Sequence, residues 1–298
     1  MPAMCWKLAI LVVSLAGGCL LRTPDPAPQL AHPRAAAPAA DTSSIGVTWI
    51  GHATVLVRIE DRWFLTDPVL GQKIARVLPR NVEAGIDPRE LPPLDAVLVS
   101  HAHFDHLDVP SLRRVAPTQL LVPSGAAKFL PDDLRARGVA RLKTWERWTR
   151  DGVTITAVPA SHGDGRYLVD RWNHDTHTGF VIEYRGRTVY FAGDTGYVAR
   201  DAAAIRERFA IDVALIPIGP AGRAKWIERW RSDVHATPEA ALELFTATGS
   251  QWMVPIHYDT FFKPRHHERP YLERAIAKAE RGGSVRVLSI GESAEFLY

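Results

Sequence analysis

Three imidazoles and one carboxylate fall within six residues at His101, His103, Asp105 and His106, in the run Ser100-His101-Ala102-His103-Phe104-Asp105-His106. Neutral imidazole nitrogen and carboxylate oxygen are good zinc donors. In an extended turn His101 and His103 point the same way, while Asp105 and His106 project elsewhere. One loop can therefore feed two neighbouring metal ions. A polar surface loop is the plain alternative, but such loops seldom carry this density of histidine directly after a buried strand.

Other candidates stand singly. His162 follows the apolar run Val153–Val158, Asp194 follows Val189–Ala192 within Gly193-Asp194-Thr195, and His257 follows Val254–Ile256. Each has an ordinary explanation. His162 could be a loop histidine, Asp194 a turn residue, and His257 a buried, hydrogen-bonded histidine. What they share is their place after an apolar run, as Ser100-His101 follows Ala96–Val99. Strand ends converge on one rim of a sheet and are rigid enough to hold ligands.

The elements that must position these residues are short. Strands are expected at Gly46–Ile50, Thr54–Ile59, Ala96–Ser100, Val153–Val158, Gly179–Glu183, Thr188–Ala192, Val213–Ile216, Trp252–Ile256, Val285–Ser289 and Ala294–Leu297. Helices are expected at Val109–Ala116, Ala126–Arg137, Arg200–Phe209, Pro238–Thr248 and Arg269–Arg281. Thr237 before Pro238 makes an N-cap with proline in the first helical position, and Gly249 suits the stop. Strands dominate at first and then mix with helices, which implies packed sheets with helices outside.

The chain has 298 residues, 46% hydrophobic and 23% charged, as in ordinary globular proteins. A formal net charge of +3 with Lys and Arg spread along the chain excludes a concentrated nucleic-acid-binding stripe. Cys5 and Cys19 are the only cysteines, so any metal site in the folded part uses His and carboxylates, with no thiol nucleophile. Residues 1–21 read as an export segment, with Lys7 followed by an apolar run from Leu8 to Leu21 that is short for a membrane span. The run ends in Leu15-Ala16-Gly17-Gly18-Cys19, which resembles a bacterial lipoprotein cleavage site. On that reading Cys19 is lipidated, and the protein is held at the periplasmic face of a bacterial membrane. An ordinary cleaved signal and a short uncleaved anchor are the alternatives. Residues 22–44, rich in Pro and Ala, read as a disordered tether. Residues 45–298 then form one domain, large enough for a sizeable core without staples.

The His101–His106 run resembles the His-x-His-x-Asp-His signature of the metallo-β-lactamase superfamily, and His162, Gly193-Asp194-Thr195 and His257 follow in the superfamily's order. The resemblance implies an α+β fold, the αββα sandwich of two mixed sheets flanked by helices. It also implies two zinc ions, with manganese or iron as alternatives. His101, His103 and His162 would hold one ion, Asp105, His106 and His257 the second, and Asp194 would bridge them. Thr48-Trp49-Ile50-Gly51-His52-Ala53-Thr54, Leu65-Thr66-Asp67-Pro68, the run from Leu91 to Ser100, Phe191-Ala192-Gly193-Asp194-Thr195-Gly196-Tyr197 and Ile216-Pro217-Ile218-Gly219 resemble the branch of phospholipases D that hydrolyse N-acyl-phosphatidylethanolamine. In that branch a further histidine lies near the metals, and His235 before the Pro238 helix matches it, although a local cap at the helix start would also explain it. His52 lies in a matched motif, as turn stabiliser or catalytic group. His174 and His177 sit in a polar stretch without an assigned role. The branch's Trp after the third metal histidine is Gly163 here, and the segments Arg171–Thr178 and Pro220–Ser232 depart from its pattern.

The expected activity is zinc-dependent hydrolysis through a metal-bridging hydroxide, with Asp105 orienting the hydroxide and His235 assisting the developing anion or leaving group. The substrate implied is an N-acyl-phosphatidylethanolamine-like phospholipid. A lactone, ester or small phosphodiester is the alternative, and a non-catalytic metal-binding surface lipoprotein the reading from another class.

Overall fold

The computed structural model describes residues 44–75, 77–115, 119–167, 170–219, 235–261 and 269–297. The export segment with Cys19, the tether before Ser44 and the segment 220–232 lie outside the described residues. In chain order the strands are β1 Ser44–Gly51, β2 Thr54–Ile59, β3 Arg62–Thr66, β4 Lys73–Ile74, β5 Leu78–Pro79, β6 Ala96–Leu98, β7 Leu120–Pro123, β8 Val139–Leu142, β9 Arg147–Arg150 and β10 Val153–Val158. They continue with β11 Gly179–Tyr184, β12 Arg187–Phe191, β13 Val213–Pro217, β14 Trp252–Ile256 and β15 Ser293–Leu297. The described α-helices are α1 Val109–Arg114, α2 Asp132–Arg135, α3 Ala199–Arg206, α4 Pro238–Thr248 and α5 Arg269–Lys278.

Seven strands pair in the order β15-β1-β2-β3-β6-β7-β8, six in the order β14-β13-β12-β11-β10-β9, and β4-β5 form a separate hairpin. The two large sheets pack face to face. Val55, Val57 and Ile59 of β2 point into a core shared with Ile155, Phe180 and Ile182 of the second sheet. Leu56, between them, points the other way, onto Leu65, Val97 and Leu112 of α1. This period of two places apolar side chains on both faces of a buried strand. On the outer face of the second sheet α4 packs against β13, and α3 and α5 pack against α4. The layers are those of the expected αββα sandwich.

Strand direction explains where chemistry gathers. β3 and β6 run parallel, and β1 runs with them because two antiparallel steps separate β1 from β3. In the other sheet β12, β13 and β14 run parallel, and β10 shares their direction through β11. The C-terminal ends of β1, β3 and β6 therefore open on one edge of the first sheet, and those of β10, β12 and β14 on one edge of the second. Every candidate after a strand lies on these rims.

Some expected elements differ. Ala126–Arg137 is a 3-10 turn at Ala126–Phe129 followed by the short α2, because Pro131 drives Leu130 into an extended conformation. Val285–Ser289 is not a strand: Val285 makes one parallel bridge to Met253, Arg286 N–H donates to the Met253 carbonyl at 2.8 Å, and the chain then turns at Ser289–Glu292. β3, β4, β5, β7, β8 and β9 are not among the expected strands. β8 and β9 carry arginines at exposed positions, and their apolar alternation is too short to register in sequence. Ser44, placed in the tether by sequence, is the buried first residue of β1 and donates to Glu295 Oε2 at 2.8 Å. Among the described residues no helix is long and apolar enough to cross a membrane.

Candidate metal centre

The loop that carries the histidine run is tied down by Asp67, a residue whose role the sequence alone does not show. Asp67, at the end of β3, is fully buried and has φ of 32°. Its Oδ1 accepts the Ser100 N–H at 2.6 Å, and its Oδ2 accepts the Ser100 hydroxyl at 2.5 Å and His106 Nδ1 at 2.6 Å. The loop after β12 then approaches closely because residue 193 is glycine. A Cβ there would stand 2.5 Å from Ser100 Cβ, and φ is +61°. That contact brings Asp194 up against the histidine loop.

These hydrogen bonds settle which imidazole nitrogen is available. Ser100 Oγ gives its proton to Asp67 and so accepts from His101 Nδ1, 2.9 Å away. His106 Nδ1 donates to Asp67, and His257 Nδ1 donates to the Gly219 carbonyl at 2.8 Å. Each of the three rings is held through Nδ1 and offers Nε2 to a common centre. Anchoring of this kind is what metal-ligating histidines require.

The sequence-predicted residues assemble there in two groups. His101, His103 and His162 bring one ligand atom each within 4.8 Å of one another. Asp105, His106 and His257, joined by His52, do the same. Asp194 stands between the groups: Oδ2 is 4.0 Å from His101 Nε2 and 3.3 Å from His106 Nε2, and Oδ1 is 3.1 Å from His257 Nε2. His235 joins on the other side, with Nδ1 3.4 Å from Asp194 Oδ2 and its ring 4.9 Å from that of His162. It precedes α4, whose N-cap is Thr237 and whose C-terminal Gly249 has φ of 70°. His177 lies at the rim, its Nδ1 3.1 Å from Asp164 Oδ1, while His174 is exposed and contacts Asp164 Oδ2. Neither joins the two groups.

The electrostatics follow from burying many imidazoles beside few carboxylates. Burial, reinforced by His106, His162 and His103, pushes His101 well below the usual imidazole range. Burial also pushes His103 down. His52 falls to about 3 through burial and the neighbouring His257. At Asp194 burial acts upward, but His257 and His106 outweigh it and hold the carboxyl far below the usual range. His106 is the counterpart: burial acts downward, yet Asp194, Asp105 and Asp67 raise it well above the ordinary value. His106 and His257 are both drawn upward by Asp194, although the charge on His106 opposes that on His257. Their Nε2 atoms face across 3.2 Å. Two Nε2–H groups cannot face at that distance, so the metal-free pair carries one proton between its Nε2 atoms, beyond those on Nδ1, and His106 with its three carboxylates is the ring that favours it.

The donor set fits a divalent metal on the protein's own geometry. His101 Nε2 is buried without a hydrogen-bond partner, and an orphaned buried acceptor of that kind is costly unless something binds it. The facing Nε2 atoms of His106 and His257 are explained by the same demand.

Residues 62–258 match the family described as the Beta-lactamase superfamily domain. The chain belongs to that superfamily. It is 32% identical over 254 residues to N-acyl-phosphatidylethanolamine-hydrolyzing phospholipase D 1 of Caenorhabditis elegans, across 78% of this chain and 68% of that protein. It is 30% identical over 260 residues to a UPF0173 metal-dependent hydrolase of Pelotomaculum thermopropionicum, across 84% of this chain and 99% of the relative. The chain spans 65% of the length of an uncharacterised Mycobacterium tuberculosis relative that it matches at 32% identity over 259 residues, or 80% of this chain. Among solved structures, isothiocyanate hydrolase from Delia radicum gut bacteria superposes with a TM-score of 0.67 at 21% identity, across 85% of this chain and 99% of that one. The fold is the metallo-β-lactamase fold of that superfamily.

Proposed function

We propose that this protein is a metal-dependent hydrolase, specifically a two-metal, zinc-dependent phosphodiesterase of phospholipase D type acting on N-acyl-phosphatidylethanolamine-like lipids. The observation that carries the two-metal reading is the pairing of His101, His103 and His162 with Asp105, His106 and His257 around a buried Asp194. His101, His103 and His162 would hold the first ion, Asp105, His106 and His257 the second, with Asp194 shared. Bound divalent metal supplies Lewis acidity at the electrophilic phosphorus and a nucleophile at neutral pH. The protein's own groups do the rest. Asp105, held charged by His106 and His52 although burial opposes it, orients the attacking group. His235, its side chain 14% exposed beside Asp194 and His162, reaches the substrate side and donates to the developing anion or the leaving oxygen.

The lipid substrate is supported by the worm phospholipase match and by apolar residues flanking the metal loop. Phe104 of that loop packs with Val69, Ile74 and Phe261, and Tyr167, half exposed, lies edge-on to Phe104 at 5.3 Å. Val77 and Leu78, next to Ile74 in the β4-β5 hairpin, are exposed. Such a flank suits acyl chains. Gly163 leaves open space where a Cβ would stand, which also admits a soluble phosphodiester, ester or lactone.

The test is metal analysis joined to a substrate panel. Zinc-loaded protein should release an N-acylethanolamine from N-acyl-phosphatidylethanolamine faster than it cleaves soluble phosphodiesters or lactones, and His103→Ala should lose one metal and the activity while staying folded. Turnover confined to esters or lactones overturns the lipid reading. Turnover undiminished in His103→Ala overturns the metal assignment. Lipid anchoring at Cys19 on the periplasmic face belongs to the same proposal, and release of Cys19→Ser into the soluble fraction would support it.

A further inference from the structure

We propose that His52 is a positioning residue of the metal centre, donating from Nε2 to Asp105 Oδ2 and thereby fixing which carboxylate oxygen is presented to the second metal. The inference rests on the two-metal reading above. It starts from a backbone that has no need of histidine. Gly51 has φ of +121° and His52 has φ of +57°. A turn of this shape is made more cheaply by Gly or Asn, and another residue held there costs about 1–3 kcal/mol.

The surroundings spend several contacts on keeping that conformation. The His52 N–H donates to Thr260 Oγ1 at 2.6 Å. Its carbonyl accepts from Trp49 Nε1 and from the His257 N–H, each at 2.9 Å. His257 is itself left-handed, with φ of 65°. Two strained histidines are thus tied together through the backbone, and their rings lie 3.8 Å apart. Phe261 meets the His52 ring edge-on at 5.1 Å.

The imidazole does not serve its own turn. Its Nε2 reaches Asp105 Oδ2 at 3.1 Å, 53 residues along the chain, and the side chain is 4% exposed. A turn stabiliser would bond locally; this one reaches across to a candidate ligand.

His52 is close enough to the second group to be considered a ligand itself. The donor count decides against it. Asp105, His106, His257 and the shared Asp194 already supply four protein donors. A hydrolytic metal keeps an open position for water or substrate, which a fifth protein donor would close. Hydrogen bonding to a ligating carboxylate leaves that position open and fixes the ligand, a role whose loss weakens metal binding by about 10–100-fold.

The experiment compares the full chain with His52→Asn and His52→Gln. Asn tolerates the left-handed backbone but is too short to reach Asp105; Gln restores an amide donor at imidazole reach. Each protein is titrated with zinc against a chromophoric chelator, and the imidazole count per metal is read by X-ray absorption at saturating zinc. The expected result is that His52→Asn binds its second zinc roughly 10–100-fold more weakly, with the first zinc unaffected. His52→Gln should recover most of that loss, and the imidazole count should be the same in all three. Unchanged affinity in His52→Asn overturns the proposal, as does a Gln variant no better than Asn. A lower imidazole count in the variants makes His52 a ligand and also overturns it. A wild-type protein that binds fewer than two zinc ions refutes the two-metal reading itself, and is recognised before any variant is measured.

Discussion

Replacing Asp67 by Asn should damage the metal centre without touching a metal ligand. The carboxylate accepts three hydrogen bonds, from the Ser100 amide, the Ser100 hydroxyl and His106 Nδ1, and its side chain is fully buried. An amide keeps one acceptor oxygen and places an NH2 against a donor. If that oxygen stays with the Ser100 amide, the Ser100 hydroxyl and the His106 Nδ1–H both face a donor. Each buried donor left unpaired costs about 1–3 kcal/mol, and removing one partner of a buried charged pair costs about 3–5 kcal/mol. At about 2–4 °C per kcal/mol for a domain of this size, the thermal midpoint should fall by roughly 6–20 °C. The tautomers of His106 and, through Ser100, His101 lose their anchors together, so both metals should bind about 10–100-fold more weakly. Ser100→Ala is the informative comparison. It cuts the relay to His101 but leaves Asp67 on His106, and should cost about 1 kcal/mol with a smaller loss of affinity. The assays are differential scanning calorimetry of the metal-free protein and chelator competition for zinc. An Asp67→Asn midpoint within about 2 °C of wild type, with zinc affinity unchanged, would refute the claim that this carboxylate sets the ligand geometry.

Two further outcomes follow from the same geometry. Gly193→Ala puts a methyl 2.5 Å from Ser100 Cβ at a φ of +61°, so it should destabilise by about 1–3 kcal/mol or more and separate Asp194 from the histidine loop; a urea midpoint equal to wild type would falsify this. Metal addition should release protons near neutral pH, because His106 is raised by Asp194, Asp105 and Asp67 against the effect of burial and holds a proton that a ligating nitrogen must give up. The sign is that of a raised base: its contribution to metal-free stability is full below the ordinary histidine value and fades as pH rises through the raised one. Zinc affinity should therefore tighten with pH, and an affinity flat from about pH 6 to 8 would contradict it.

The ligand candidates were legible because each is a chemically distinctive side chain placed just after an apolar run, and strand direction alone then brings them to common rims. Asp67 is not legible as an anchor, although it lies in the motif Leu65-Thr66-Asp67-Pro68. An Asp before Pro reads as a turn, and only the register of β3 with β6 shows that its carboxylate meets the Ser100 amide. The missed strands β8 and β9 have the same origin. Their pairing with β7 and β10 makes them strands, whereas their own composition of arginine and single apolar residues does not.

His52 marks a further boundary of what sequence reveals. Both of its expected roles, turn stabiliser and catalytic group, belong to its own motif. The decisive contact is with Asp105, in a loop from another strand. Neither sequence segment contains that pair, because it exists only once β1 and β6 open on the same rim. The left-handed backbone at His52 and His257 sharpens the point. Local preference at both positions favours glycine or asparagine, so the conformation is imposed by the tertiary structure, and the imidazoles account for the strain it carries. Sites of this kind are where local sequence rules should fail, because the side chain is kept for what it reaches and not for the turn it sits in.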